Sequence, residues 1–438
     1  MVVSHHDSVK LFRNSLPYIN AHRGKTFVLM FGGEAVENDN FANIIHDIAL
    51  LASLGVRLVL VHGARPQIDQ RIALRGLEKR FANTIRLTDK ETLESVKDAA
   101  GSVRSQIEAL LTMGLANSPM HGAQIRVCSG NLVVAMPMGV RDGVDYEHTG
   151  LVRRIDVNGI NDHLDDGSIV LLSPMGYSST GEVFNLSHED VATQAAITLN
   201  ADKLIILCDQ DGILDETGKL LRNIDFTRLT DLQKAPHLDS KRSMLQAIAT
   251  SLESGISRCH CVSYQKDGAL LQELFTRDGA GSLISERYYE QLRDGTIDDV
   301  GGILNLINPL EQQGVLVKRS RELLEQEIEQ FTVIERDGMI IACAAFYPYP
   351  SDGCGELACV ATHPDYRGKN RAERLLEAIK KKALDQGLHS IFVLTTVTAH
   401  WFREQGFEPS SPVALPDGKK QLYNYQRNSK VFTLSLTS

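Results

Sequence analysis

Four runs constrain this chain most: TFVLMF (26–31), RLVLVHG (57–63), IVLLSP (169–174) and KLIILC (203–208). They are continuously apolar rather than alternating, which requires both faces of each strand to be covered. RCHCVSY (258–264) is a fifth candidate strand. Segments with helical spacing separate them, at Asn40–Leu54, Arg65–Gly76, 185–199 and 240–254; Ser187 and Asp190 have the spacing of an N-terminal capping box. Buried strands between helices predict an α/β fold, an open and mostly parallel sheet sandwiched by helices. Ligands in such sheets sit at the carboxyl ends of the strands.

The first run continues into FGGEAVEN. A strand entering paired glycines has the shape of a phosphate cradle, and such a cradle needs a cation. Met30 stands in the strand instead.

The polar, turn-rich stretch 275–296 marks a domain boundary. Beyond it come helix-like 298–311 and 319–329, then a hairpin turning at ERDG within 331–347, then the strand GELACVAT. This strand runs through HPDYRGKNRA into a long helix. Backbone N–H groups at a helix start, with Arg367, Lys369 and Arg371 beside them, suit a pyrophosphate. The order is that of a mixed α/β domain.

Net charge is −9 over 438 residues, which argues against a nucleic-acid partner. The seven cysteines are scattered without zinc-type pairing and fit reduced thiols, so no metal is expected. No run reaches the roughly 18 apolar residues of a membrane span, and the N-terminus has no apolar signal core, so a cytoplasmic protein is expected.

The segment ELACVATHPDYRGKNRA (356–372) resembles the acetyl-CoA loop of the GCN5-related N-acetyltransferases, Arg/Gln-x-x-Gly-x-Gly/Ala, with Arg367 and Ala372 matching and Asn370 in place of the middle glycine. LHSIFVLTTVTAHWFREQGFEP (388–409) resembles the strand and helix that follow in that family. FVLMFGGEAVEN, VHGARPQID, RDGVDY, NADKLIILCDQDGIL, NPLEQQGVLVKRSRE and KKQLYNYQRNSK extend the likeness along nearly the whole chain, to the bacterial N-acetylglutamate synthases that fuse an amino acid kinase-like domain to an acetyltransferase. The resemblance implies four parts: an N-terminal helix segment (1–24), a kinase-like domain (25–283), a linker (284–294) and the acetyltransferase domain (295–438).

It also implies the chemistry. Acetyl would pass from acetyl-CoA to the α-amine of L-glutamate, the first step of arginine biosynthesis, which needs a base, an oxyanion donor and cations for two carboxylates. Glu356 is the implied base, acting directly or through water. A backbone N–H at Cys359 or Val360 would hold the oxyanion, and direct transfer needs no acyl-enzyme. CoA would contact Cys359, Val360, Ala361, Tyr366, Arg367, Gly368, Lys369, Asn370, Arg371 and Ala372. Thr395 and, more weakly, Tyr425 are hydroxyls for the departing thiolate. Lys318, Arg319, Arg321, Arg427 and Ser429 would bind the substrate carboxylates.

In the kinase-like half, active relatives carry a lysine where Met30 stands and a second where Met244 falls, and HGARP replaces a glycine-rich loop. Phosphoryl transfer depends on such cations. The resemblance therefore implies a domain that no longer transfers phosphate but binds L-arginine as feedback effector at Tyr18, Lys203, Glu273 and Gly279. It further implies a hexamer interlaced by the N-terminal helix. Three other readings compete: an active kinase with an acetyl-CoA sensor, a non-catalytic sensor, and acetylation of another amine such as a protein lysine.

Overall fold

The computed structural model describes residues 5–113, 120–276, 278–285, 290–336, 338–368, 370–420 and 429–436. The chain divides into two compact units, 1–288 and 289–438. Among the described residues no helix is long and apolar enough to cross a membrane.

The first unit begins with helix α1 (His5–His22). Its strands are β1 (Thr26–Phe31), β2 (Arg57–His62), β3 (Val127–Cys128), β4 (Ile169–Leu172), β5 (Lys203–Cys208), β6 (Asn223–Asp225), β7 (Arg258–Ser263) and β8 (Ser282–Ser285). They form one sheet in the order β6-β8-β7-β5-β1-β2-β4-β3. All neighbours are parallel except β7 and β8. Both faces are covered, as the apolar runs require. Val28 and Met30 point into a core shared with α4 (His188–Thr198) and α5 (Arg242–Glu253), while Phe27, Leu29 and Phe31 point into one shared with α2 (Phe41–Ser53), α3 (Lys90–Thr112) and α6 (Ala269–Phe275).

A second sheet, made of 133–137, 150–155, 175–177 and 183–185, has no counterpart in the sequence reading. Strand 133–137 is the apolar run VVAMP, but Met136 and Pro137 are exposed and Val134 half-exposed, while 150–155 is broken by the exposed Arg153 and Arg154. The capping box expected at 187–190 is half made. Ser187 Oγ accepts from the Asp190 N–H at 3.4 Å, but the Asp190 carboxylate accepts from Val152 N–H at 3.0 Å, tying α4 to the second sheet.

The second unit is a sheet of β9 (Gln291–Asp294), β10 (Phe331–Arg336), β11 (Met339–Tyr349), β12 (Cys354–Thr362), β13 (Ser390–Thr395), β14 (Glu408–Ser410) and β15 (Lys430–Ser435). The order is β9-β10-β11-β12-β13-β15-β14. Only β12 and β13 run parallel. Helices α7 (Val300–Gln312) and α8 (Arg321–Gln326) pack on one side, and α9 (Arg371–Asp385) and α10 (Ala399–Glu404) on the other. The span 284–294, read as a linker, holds the end of β8 and all of β9: pairing with Thr332–Glu335 makes β9 the edge of the second sheet.

Candidate active site

Strand β12 is interrupted on both edges at nearly the same place. Toward β13 it pairs only through Cys354, Gly355 and Glu356, opposite Ser390, Ile391 and Phe392. From Leu357 onward the two strands part. Toward β11 the register slips: Cys343 faces Ala361 and Ala345 faces Ala358. Cys359 and Val360 therefore oppose the single residue Ala344, a bulge that leaves both outside the paired register. Cys359 has φ +55°, which costs a residue with a Cβ about 1–2 kcal/mol. Backbone polar groups released from a ladder at a strained position are characteristic of a ligand site.

Glu356 is the last residue of β12 paired with β13. It is 5% exposed. Its Oε2 lies 2.7 Å from Nζ of Lys419, on the short helix α11 (Asp417–Lys420). Directly across the ladder is Tyr347, whose hydroxyl donates to Glu327 at 2.5 Å. Arg319 is half-buried beside Tyr347, Glu327 and Cys359. Burial opposes its charge, but Cys359, Tyr347 and Glu327 together hold its pKa above the usual arginine value. Burial pushes the Cys359 thiol up to about 11 against the opposing pull of Arg319, so it is a protonated packing group rather than a nucleophile.

The other sequence-assigned residues divide clearly. Lys318 is exposed, and Arg321 is exposed and pairs with Glu325 on its own helix at 2.7 Å. Thr395 ends β13. Its hydroxyl accepts the Thr398 N–H at 3.0 Å and lies 2.9 Å from the Thr398 hydroxyl, so it shapes the turn into α10. Ser429 is half-buried beside Lys430, the cross-strand partner of Thr395. Lys369, Tyr425 and Arg427 lie outside the described residues. Sequence reading missed Tyr347, Glu327 and Lys419. Tyr347 would have followed from the register of β11 against β12, which no local pattern reveals.

The loop after β12 opens α9. Asn370 precedes the helix at φ +53°, ψ +28°, and Gly368 has φ +76°. Asparagine tolerates the left-handed conformation better than most residues, which explains how it replaces a glycine here. The first intrahelical bond is Arg374 N–H to Asn370 C=O, leaving the N–H groups of Arg371, Ala372 and Glu373 without an acceptor in the helix. Arg367 is exposed.

The Arg371 side chain corrects one expectation: its guanidinium is turned inward. It donates to Glu290 through both Nε and Nη2, donates to Tyr366 C=O at 2.7 Å, and lies 4.9 Å from the buried Tyr366 ring. What Arg371 can offer an anion is its main chain. Arg374 also binds Glu290, at 3.0 Å. Glu290→Ala would strand the buried Arg371 charge, so a loss of about 3 kcal/mol of stability is expected in urea unfolding. A loss below about 0.5 kcal/mol would assign this network to the surface class of ion pairs.

In the first unit, the four residues assigned to an effector gather around α1 and α6. The Glu273 carboxylate on α6 accepts from His260 at 2.7 Å through Oε1, and from the N–H groups of Ala280 and Gly281 at 2.8 Å each through Oε2. A Cβ on Gly279 would come within 2.3 Å of Glu273 Oε2, so this left-handed position requires glycine. Lys203 Nζ lies 3.4 Å from His260 Nε2 and 5.7 Å from the Phe27 ring centre. Phe27 packs against His22, which bonds Leu274 C=O at 2.8 Å and lies 6.5 Å from Tyr18. The two histidines were not foreseen, because a lone histidine in an apolar segment carries no signal of its partner.

Around the paired glycines the space is filled from within. A Cβ on Gly33 would lie 2.1 Å from Gln67 Oε1, and one on Gly63 would lie 3.0 Å from His188 Nδ1. Arg65, from the departing HGARP segment, lies 2.8 Å from the buried Glu189. Burial alone would raise the pKa of Glu189, but His188, Arg65 and Ser187 bring it down to about 2. Met30 is 2% exposed, and Met244 packs against the same core. Among the described residues no group of three or more His, Cys, Asp or Glu side chains is placed to hold a metal.

Residues 25–263 match the amino acid kinase family and residues 302–407 the acetyltransferase (GNAT) family. The chain is 57% identical to the amino-acid acetyltransferase of Ectopseudomonas mendocina, over 98% of this chain and 100% of that protein. It is 57% identical to that of Azotobacter vinelandii, with the same coverage. Among solved structures, it resembles the N-acetylglutamate synthase of Neisseria gonorrhoeae complexed with coenzyme A and L-arginine, at 35% identity and a TM-score of 0.91, covering 98% of this chain and 99% of the other. The same synthase complexed with coenzyme A and N-acetyl-glutamate matches at 36% identity and a TM-score of 0.63, with the same coverage.

Proposed function

Because this chain belongs to the amino-acid acetyltransferase family, we propose that it moves acetyl from acetyl-CoA to the α-amine of L-glutamate, and that L-arginine held by the first unit inhibits the reaction. The observation that supports the reading is the buried carboxylate of Glu356 at the point where β12 leaves β13, three residues before its bulge against β11. In this reading the pantetheine arm of CoA lies in the opening between β12 and β13, and its pyrophosphate meets the N–H groups at the start of α9. The thioester oxygen is taken by a backbone N–H at Cys359 or Val360, and Glu356 takes the amine proton. Arg319 is the foremost described cation for a substrate carboxylate, ahead of Lys318 and Arg321; Arg427 and Ser429 complete the set. Thr395 stands at the mouth of the opening toward the departing sulfur, with Tyr425 as the alternative.

In the first unit, Glu273 pairs the arginine guanidinium, with Tyr18, Lys203 and Gly279 around it. The supporting observation is the buried Glu273 carboxylate, with Gly279 directly against it and Lys203 joined to it through His260. The paired-glycine loop keeps the shape of a phosphate site without its cations, so no phosphoryl transfer is assigned to it. Cytoplasmic placement and a hexamer joined through α1 complete the reading.

The test is release of CoA thiol from acetyl-CoA with and without L-glutamate, then with L-arginine added. Glutamate-dependent release suppressed by arginine is expected. Release indifferent to glutamate would overturn the acceptor, and release indifferent to arginine would overturn the effector.

A further inference from the structure

The contact between Glu356 and Lys419 places an ammonium where the acceptor amine has to go. In the proposed reaction the substrate enters as an ammonium ion and must give a proton to the Glu356 carboxylate. The position that serves this is already taken: Lys419 Nζ is 2.7 Å from Glu356 Oε2. The lysine is held there by its own segment. Leu415, two residues before α11, is buried against Phe392 of β13 and Val431 of β15. Gly418 lies against Tyr349, where an added Cβ would be 3.9 Å from the ring. Tyr349 in turn packs on Phe392, with ring centres 5.9 Å apart. The Lys419 side chain is 22% exposed, intermediate between a solvated lysine and a locked core charge. Its neighbour Lys420 behaves differently: it is 39% exposed and pairs with Asp417 on its own helix, at 3.0 Å.

We infer that Lys419 is an internal acceptor that takes the place of the substrate amine, and that with acetyl-CoA alone the enzyme acetylates this lysine. The inference rests on the reading of Glu356 as the base. The Lys419 ammonium gives one proton to Glu356. The neutral Nζ attacks the thioester carbonyl, a C–N bond forms, and the C–S bond breaks with its electron pair leaving on sulfur. The remaining extra proton on nitrogen passes to the CoA thiolate. The products are Nε-acetyl-lysine and CoA, with the first proton released from Glu356 to water. No other reactant is needed. Free glutamate competes, since its ammonium requires the same carboxylate. Acetylation removes the charge that holds Lys419 on Glu356.

The full chain would be incubated with acetyl-CoA, with and without saturating L-glutamate, and each lysine followed by peptide mass spectrometry. Acetylation of Lys419 is expected to exceed that of Lys420 by at least about tenfold, because a lysine held at the reacting centre has a large effective concentration. Glutamate should suppress it, and Glu356→Gln should reduce it to the Lys420 background. Equal labelling of the two lysines in a preparation that turns over glutamate would overturn the inference and leave the acetyltransferase reading intact. Labelled Lys419 without glutamate turnover would uphold the inference and remove glutamate as acceptor. Absence of both would overturn both.

Discussion

Glu356→Gln is expected to lower kcat for glutamate-dependent CoA release by about 10²- to 10⁴-fold, with little change in KM for acetyl-CoA. Glutamine matches glutamate in size and keeps one acceptor oxygen, but it cannot take a proton at neutral pH. The β12 bulge and the α9 N–H groups, which serve CoA in this reading, are untouched by the change. Lys419 loses its charge partner but is itself partly exposed, so the fold should survive; equal urea midpoints for the two proteins would check this. The loss should be carried by kcat, since a proton acceptor acts in the transition state rather than in binding. A fall of less than about tenfold would take Glu356 out of the proton path.

Glu273→Gln is expected to abolish most of the arginine effect, removing a coupling that for allosteric effectors is typically about 5- to 150-fold. An amide cannot make the paired charged contact that a guanidinium seeks. Inhibition curves at fixed glutamate and acetyl-CoA would read this directly, and basal turnover serves as the control. An unchanged arginine midpoint would remove Glu273 from the effector site. The same substitution carries a pH signature. Burial by itself would raise the pKa of Glu273, but the hydrogen bond from His260, its charge, and the N–H groups of Gly281 and Ala280 win, so the folded pKa lies below the ordinary 4.5. A lowered folded pKa contributes stability that is present above the unfolded value and is lost as pH falls through the folded value. Wild type should therefore lose stability more steeply below about pH 4.5 than Glu273→Gln does, in urea melts across that range.

Much of the frame was readable from local pattern. β1, β2, β4 and β5 announce themselves because a strand covered on both faces has no polar position to interrupt the apolar run. The hairpin at 336–339 and the loop opening α9 follow from turn residues and from where charges cluster. The second sheet of the first unit was not legible: VVAMP at 133–137 is apolar but ends in exposed Met136 and Pro137, and 150–155 carries two arginines, so neither shows the long, fully covered run of β1 or β5. Arg371 shows the same limit within the site. In sequence it is one of three basic residues in a loop; in space it is the partner of Glu290, more than 80 residues earlier in the chain.

Residue chemistry along the chain thus settled that β1, β2, β4, β5 and β7 form, that the first sheet is covered on both faces, and that Met30 brings no cation to the glycine turn. Those follow from periodicity and side-chain type, which are properties of neighbours in sequence. The slip of β12 against β11, the parting of β12 from β13, the approach of Lys419 to Glu356 and the chain from Lys203 through His260 to Glu273 belong to the folded chain alone. Each is a contact between segments far apart in sequence, set by strand register and by burial, and neither quantity exists until the sheets have assembled.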